Sequence, residues 1–386
     1  MWRLKLLFIN LLSFPALPTR EIQLFFAPAQ GGGTEINMCN IAGYTGSRRA
    51  APILLEMIKK QEYIDGSLST GIATIHEGKL YTAKVLGNAD TLIEKTDALN
   101  FPGTTGIIHS RPGNDMLEHA HPFVCGKSAL VLNGTTRGLK DTPLEKQWND
   151  AINMLYENGY EFKSAYKSEN ALLQIKSLGI GLHDTEPILL LEDYYAKQGM
   201  SHSEALARSL STFNGETVSV LINADTSDKI FVTRLTRPMN VALNGDESFI
   251  ASTELAFPED IDFEYTASLP TCRACEITPG GFEVTKHRVE GMSVERITPA
   301  IFAEAYERMT DILKNGWEHF DTLELIAYRE WADLWKKKSV QDIRCTSFVP
   351  WWKKVNWQKV KMFWIMHFSF SRFFHRILRL VYFMEK

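Results

Sequence analysis

The stretch Met38-Cys39-Asn40-Ile41-Ala42-Gly43-Tyr44-Thr45-Gly46 decides how the rest of the chain is read. A short apolar run ending in turn residues follows a cysteine, which predicts a β-strand with a thiol at its mouth. Taken alone, such a cysteine is most simply a small buried hydrophobe. The alternative is an N-terminal nucleophile. If residues 1–38 are removed, the thiol and a free α-amino group belong to one residue. An amine with an unperturbed pKa of roughly 7.7–8.0 then takes the thiol proton near neutral pH, and no catalytic histidine is needed.

Outward from this stretch, the composition is that of a globular protein. The 386 residues are 45% apolar and 23% charged, with a formal net charge of -4. That argues against collagen-like, low-complexity or wholly disordered chains, and against a nucleic-acid scaffold. The five cysteines, Cys39, Cys125, Cys272, Cys275 and Cys345, are odd in number and widely spread. A disulfide-stapled secreted domain does not read that way, so a reducing, cytoplasmic setting is expected.

The two ends differ from the body. Residues 1–38 start basic, run apolar from Leu6 to Leu17 across Pro15, and reach Gly31-Gly32-Gly33. The run is shorter than the roughly 20 residues that span a bilayer, and three readings stay open: a propeptide, an over-extended gene start with Met38 as initiator, or an export signal. Residues 345–386 hold eight Lys or Arg against Glu385 alone, and 12 of the chain's 43 aromatics. Arg372, Arg376 and Arg379 share one helical face, which suits a helix in an anionic membrane interface over residues 351–383, or equally a partner-binding helix or a divergent extension.

Between the ends, Ile53, Leu54, Met57 and Ile58 have the spacing of an amphipathic helix with Pro52 in its first turn. Strands are expected over residues 71–76, 79–86, 106–109, 129–132, 218–222, 229–233, 240–243 and 248–252, and helices over 144–158, 170–180 and 202–211. Beyond residue 290, Thr298-Pro299 starts a helical pattern. The absence of strict βαβ alternation predicts an α+β layered sandwich.

The motifs that follow Cys39 are co-linear. Gly103-Thr-Thr-Gly-Ile-Ile-His-Ser-Arg111, His119-Ala-His-Pro122, Val131-Leu-Asn-Gly134 and Phe249-Ile-Ala-Ser-Thr-Glu-Leu-Ala256 occur in the order and approximate spacing of the class II glutamine amidotransferases. Residues 38–290 resemble the glutaminase half of the glucosamine-6-phosphate synthases most. The resemblance implies a four-layer αββα N-terminal-nucleophile hydrolase sandwich, here with a C-terminal helical appendage. The implied division is a leader at 1–38, the amidotransferase domain at 39–290, the appendage at 291–340 and the basic aromatic tail at 341–386.

It also implies roles. Cys39 attacks the carboxamide of L-glutamine, Asn133 and Gly134 supply the oxyanion hole, and Arg111 grips the substrate α-carboxylate. The residue types suit these tasks, since an amide N–H and an unobstructed backbone N–H can converge on one oxygen, and a guanidinium fork matches a carboxylate. The plainer alternatives are a tight turn for Asn133-Gly134 and a solvated loop arginine for Arg111. No metal or cofactor is implied. About 96 residues follow position 290, too few for the sugar-isomerising half, so the ammonia is expected to pass to an acceptor synthase in trans or to be released.

Departures from the family pattern are specific. Asn40 replaces the glycine after the nucleophile, Ile64-Asp-Gly-Ser-Leu-Ser69 replaces Arg-Gly-Tyr-Asp-Ser, and Pro112-Gly-Asn-Asp-Met116 replaces Trp-Ala-Thr-His-Gly. The residue for the substrate ammonium falls on Ser168 or Glu169. Only Glu169 can pair with a cation. The rival to an active glutaminase is therefore a catalytically weak binding or regulatory module, and an acylase for other amides is a third reading. Cys272-Arg-Ala-Cys275 lacks the second pair of a zinc site, and His119 and His121 read as part of a His-Pro turn despite metal-like spacing.

Overall fold

In the computed structural model, the described residues are 39–63, 66–113, 116–135, 143–168, 171, 173–290 and the isolated positions 304, 307, 308 and 311. The leader, the tail with its expected membrane contact, and nearly all of the appendage lie outside them. The elements begin with β1 (Asn40–Thr45), α1 (Ala50–Glu62), β2 (Ser69–His76), β3 (Lys79–Val85), α2 (Ala89–Lys95), β4 (Thr105–Arg111), β5 (Phe123–Cys125) and β6 (Ser128–Thr135). Then come α3 (Pro143–Glu157), β7 (Tyr166–Lys167), β8 (Gln174–Ile175), β9 (Ile180–Gly181), α4 (Thr185–Lys197) and α5 (His202–Thr212). The last strands are β10 (Glu216–Asn223), β11 (Ile230–Arg234), β12 (Asn240–Asn244), β13 (Glu247–Ala251), β14 (Tyr265–Ser268), β15 (Arg273–Thr278) and β16 (Gly281–Arg288).

One sheet has the order β14-β12-β13-β1-β4-β2-β3 and the other β16-β15-β11-β10-β6-β5, with β7, β9 and β8 in a small third sheet. Strand alternation gives each large sheet two apolar faces. Ile41, Ile107 and Ile250 of the first meet Val131, Val218 and Val232 of the second in a shared core. The outer face of the first sheet carries Ile72, Ile108 and Phe249 against Leu54, Met57 and Ile58 of α1. The outer face of the second carries Leu130, Leu221 and Phe231 against Trp148 of α3, Leu189 of α4 and Leu206 of α5. The result is the αββα sandwich, with β1 and β4 central in one sheet and β6 near the edge of the other.

Polar groups enter this core in bonded sets. The buried Tyr44 hydroxyl donates to Glu247, and Arg48 grips the same carboxylate with Nε and Nη2 at 2.6 and 3.0 Å. The expected helix over 170–180 is a correction. Gln174–Ile175 and Ile180–Gly181 pair antiparallel, and Gly179, at φ +62°, turns the chain between them. Pairing with β9 overrides a helical propensity that no buried face supports. Helices α2 and α4 were not expected. In α4, Pro187, Ile188, Leu189, Leu190 and Leu191 are all buried, so the run lacks the one-sided period that marks a helix in sequence.

Among the described residues no helix is long and apolar enough to cross a membrane. Trp148, fully buried beside Phe213, anchors α3 on the second sheet. Trp148→Ala is expected to lower unfolding free energy by about 3–5 kcal/mol in a urea titration, and a loss under about 1 kcal/mol would contradict this packing.

Candidate active site

The sheet register delivers the first two groups. Asn40 pairs with Ser110 and Ile41 with His109, so the next step places Cys39 opposite Arg111. Alternation puts Cys39 and Arg111 on the side of Ile41 and Ile107, toward the second sheet. There β6 presents Asn133, whose Nδ2 donates to Cys39 O at 2.6 Å. One of the two amide hydrogens is thereby engaged, and the other is left to a further acceptor. Gly134 adopts φ +146°, a backbone state that L side chains avoid, which accounts for glycine there.

Arg111 is held from the loop side. Its Nη1 donates to His119 O at 2.8 Å and lies 3.4 Å from His183 Nε2. Ser69 pairs with Arg111 across the sheet and its hydroxyl donates to Gly113 O at 2.6 Å, which pins the divergent turn after the arginine. Ser168 belongs to the chain leaving β7, its N–H donating to Gly179 O at 3.2 Å. The structure thus brings Asn133, with Gly134 next to it, onto Cys39, puts Arg111 one residue past the Ser110 that pairs with Asn40, and leaves Ser168 with the small sheet. Glu169 lies outside the described residues.

Behind the strand ends, α1 supplies polar ties. Asn40 is buried, and its Nδ2 donates to Gln61 O at 3.3 Å, while Gln61 Nε2 donates to Ile41 O at 3.0 Å. The amide that replaces the family's glycine therefore joins β1 to the end of α1. Glu62 accepts from Ser110 Oγ at 2.7 Å, Thr70 Oγ1 at 3.0 Å and Ala89 N at 3.1 Å. Sequence reasoning missed Glu62 and His183 as site-supporting residues. Ser110 and Arg111, which they meet, lie 48 and 72 positions away, so no local pattern marks either residue.

A set of histidines fills the space beneath Arg111. The His109 and His121 rings stack with centroids 4.0 Å apart. His109 Nε2 meets Leu132 O at 3.1 Å and His121 Nε2 meets Thr185 Oγ1 at 2.9 Å. A carbonyl can only accept, so His109 carries its proton on Nε2. Burial, reinforced by the Arg111 charge, pushes His109 down to about 3, and burial likewise holds His121 well below the usual histidine range. Gly71 makes room for the cis His121-Pro122 segment, since a Cβ there would lie 2.1 Å from His121 O. Among the described residues no group of three or more His, Cys, Asp or Glu is placed to hold a metal.

The other thiols contrast with Cys39, which is half-buried at a strand mouth. Burial pushes Cys125 up to about 11 and Cys275 up to about 12, so neither supplies thiolate near neutrality.

No protein-family model matches the chain. In sequence it is similar to glutamine–fructose-6-phosphate aminotransferase (isomerizing) of Pyrococcus horikoshii, 30% identical over 225 residues, or 57% of this chain and 33% of that protein. The protein of the same name from Caldanaerobacter subterraneus subsp. tengcongensis is 30% identical over 295 residues, 75% of this chain and 42% of its own. The chain spans less than half the length of these curated relatives. In fold it is similar to glutamine phosphoribosylpyrophosphate amidotransferase from B. subtilis, with a TM-score of 0.52 at 19% identity over 67% of this chain and 50% of that one. A structure described as the allosteric regulatory enzyme of purine biosynthesis gives a TM-score of 0.51 at the same identity and coverage.

The described domain therefore has the N-terminal-nucleophile hydrolase fold seen in the class II glutamine amidotransferases. Within that class its sequence relatives are the glutamine–fructose-6-phosphate aminotransferases.

The buried histidines set a pH dependence of stability. His109 is neutral in the fold, whereas the unfolded chain protonates it below its ordinary 6.5, so the unfolded state binds more protons and stability falls as pH drops. The loss runs from pH 6.5 down to about 3, with a slope approaching about 1.4 kcal/mol per pH unit from this one group. His109→Gln is expected to remove that share of the slope in urea titrations at successive pH values. An unchanged slope would contradict a neutral buried His109.

Proposed function

We propose that the protein is a glutaminase-type amidotransferase in which Cys39, as the first residue of the mature chain, attacks the side-chain amide of L-glutamine. The α-amino group takes the thiol proton as sulfur adds to the carbonyl carbon. The negative charge formed on the carbonyl oxygen is received by the second Asn133 amide hydrogen and by Gly134 N–H. Collapse expels ammonia, which takes the proton back from the ammonium of Cys39. Water then adds to the γ-glutamyl thioester with the α-amine again as base, releasing glutamate and restoring the thiol. Arg111 holds the substrate α-carboxylate through paired charge-assisted bonds, and Glu169, or Ser168 in its place, is proposed for the α-ammonium.

The observation that carries this reading is the bond from Asn133 Nδ2 to Cys39 O, which sets an oxyanion donor from one sheet on the nucleophile residue of the other. Delivery of the ammonia to a separate acceptor synthase is the further part of the proposal. The relatives' names give the acceptor class, a sugar phosphate, as the first to test. The altered sequence at Pro112–Met116 favours a second reading, in which glutamine is bound weakly and the domain regulates a partner.

Glutamate release from glutamine by protein beginning at Cys39 separates the two. Activity lost in Cys39→Ala, with kcat reduced about 100- to 1,000-fold in Asn133→Ala and KM raised at least tenfold in Arg111→Ala, is expected. Release that persists without the Cys39 thiol, or none from the wild type, would overturn the leading reading.

A further inference from the structure

We infer that His109 is a positioning residue for the oxyanion donors: it holds the Leu132–Gly134 segment of β6 in place and so supports kcat, with little part in binding glutamine. The inference rests on the glutaminase reading for its kinetic consequence, while its structural part stands alone. Strand β5 pairs with β6 only through Ser128, Ala129 and Leu130. Strand β10 pairs with β6 along the other edge from Ser128 to Thr135, and His109 Nε2 adds a contact on Leu132 O, one residue before Asn133. His109 comes from the opposite sheet, paired with Ile41 two residues after the nucleophile. One ring thus ties the strand that bears Cys39 to the strand that bears Asn133 and Gly134.

Its placement is costly, which argues against a role in packing alone. His109 is fully buried and His121 nearly so, yet neither Nδ1 finds a partner among the described residues. A buried polar atom left unpaired is unfavourable, and a pair of apolar side chains of similar volume would avoid it. The stack leaves His109 little freedom to turn. His121 lies against one face at 4.0 Å and is itself fixed by Thr185 Oγ1 at the start of α4. Nearby charges do not replace the contact: Arg111 is engaged with His119 O, and Lys84 Nζ with Ala120 O at 2.9 Å.

Glutamine reaches only as far as the Nε2 position, asparagine only as far as Nδ1, and leucine offers no donor. In protein beginning at Cys39, His109→Asn and His109→Leu are expected to lower kcat at least tenfold with KM within threefold of wild type, whereas His109→Gln recovers most of kcat. Hydrogen exchange of the peptide covering 131–135 is expected to quicken in the Asn variant but not in the Gln variant. If the Leu variant does not fold, the Gln and Asn pair carries the comparison. Equal kcat in the Gln and Asn variants, a loss confined to KM, or equal exchange in both would overturn the inference. A wild type that releases no glutamate would sink the glutaminase reading, and the exchange comparison would still decide whether His109 holds the strand.

Discussion

The site depends on two sheets meeting at one residue. Cys39 is the last step of a register that begins in the middle of the first sheet, and Asn133 is the residue of the second sheet that reaches across to it, 2.6 Å from its carbonyl oxygen. Neither sheet alone makes the arrangement. The apolar face between them, from Ile41 and Ile107 to Val131 and Val218, fixes the separation at which a side-chain amide on one strand touches the backbone of the other. The helical layers act at one remove: α1 grips β1 and β4 through Gln61 and Glu62, and α4 grips the histidine stack through Thr185.

The electrostatics follow from that burial. Imidazoles taken fully out of water stay neutral, so the space beneath Arg111 is polar without adding to its charge. The same burial raises the thiols of Cys125 and Cys275. Cys39, half-buried at a strand mouth, is placed differently from either.

Much of this was legible in the sequence, for identifiable reasons. Short apolar, β-branched runs bounded by turn residues, such as 71–76 and 218–222, read as strands even with both faces buried, and both lie within observed strands. The amphipathic α1 and α5 were legible because their apolar residues recur at helical spacing. Helix α4 was not, because an element buried nearly all round loses its period, and residues 170–180 misled because their strand pairing is set by contacts elsewhere. In the site, Cys39, Arg111, Asn133 and Gly134 stood in recognisable motifs. Glu62, His109 and His183 act on Ser110, Leu132 and Arg111, 48, 23 and 72 positions away, and Asn40, marked as a departure, proved to be a tie to Gln61. Such roles exist only once the chain is folded.

The central claim is that Cys39, with a free α-amino group, is the nucleophile for a glutamine-like carbonyl. Treating protein whose first residue is Cys39 with a chloroketone analogue of glutamine, followed by intact mass and peptide mapping, tests it most directly. The account predicts one adduct per chain, on Cys39, suppressed by excess glutamine and lost when the α-amine is blocked by acetylation. Labelling at Cys125, Cys272 or Cys275 instead, or labelling of Cys39 that is indifferent both to glutamine and to the state of its amine, would contradict it.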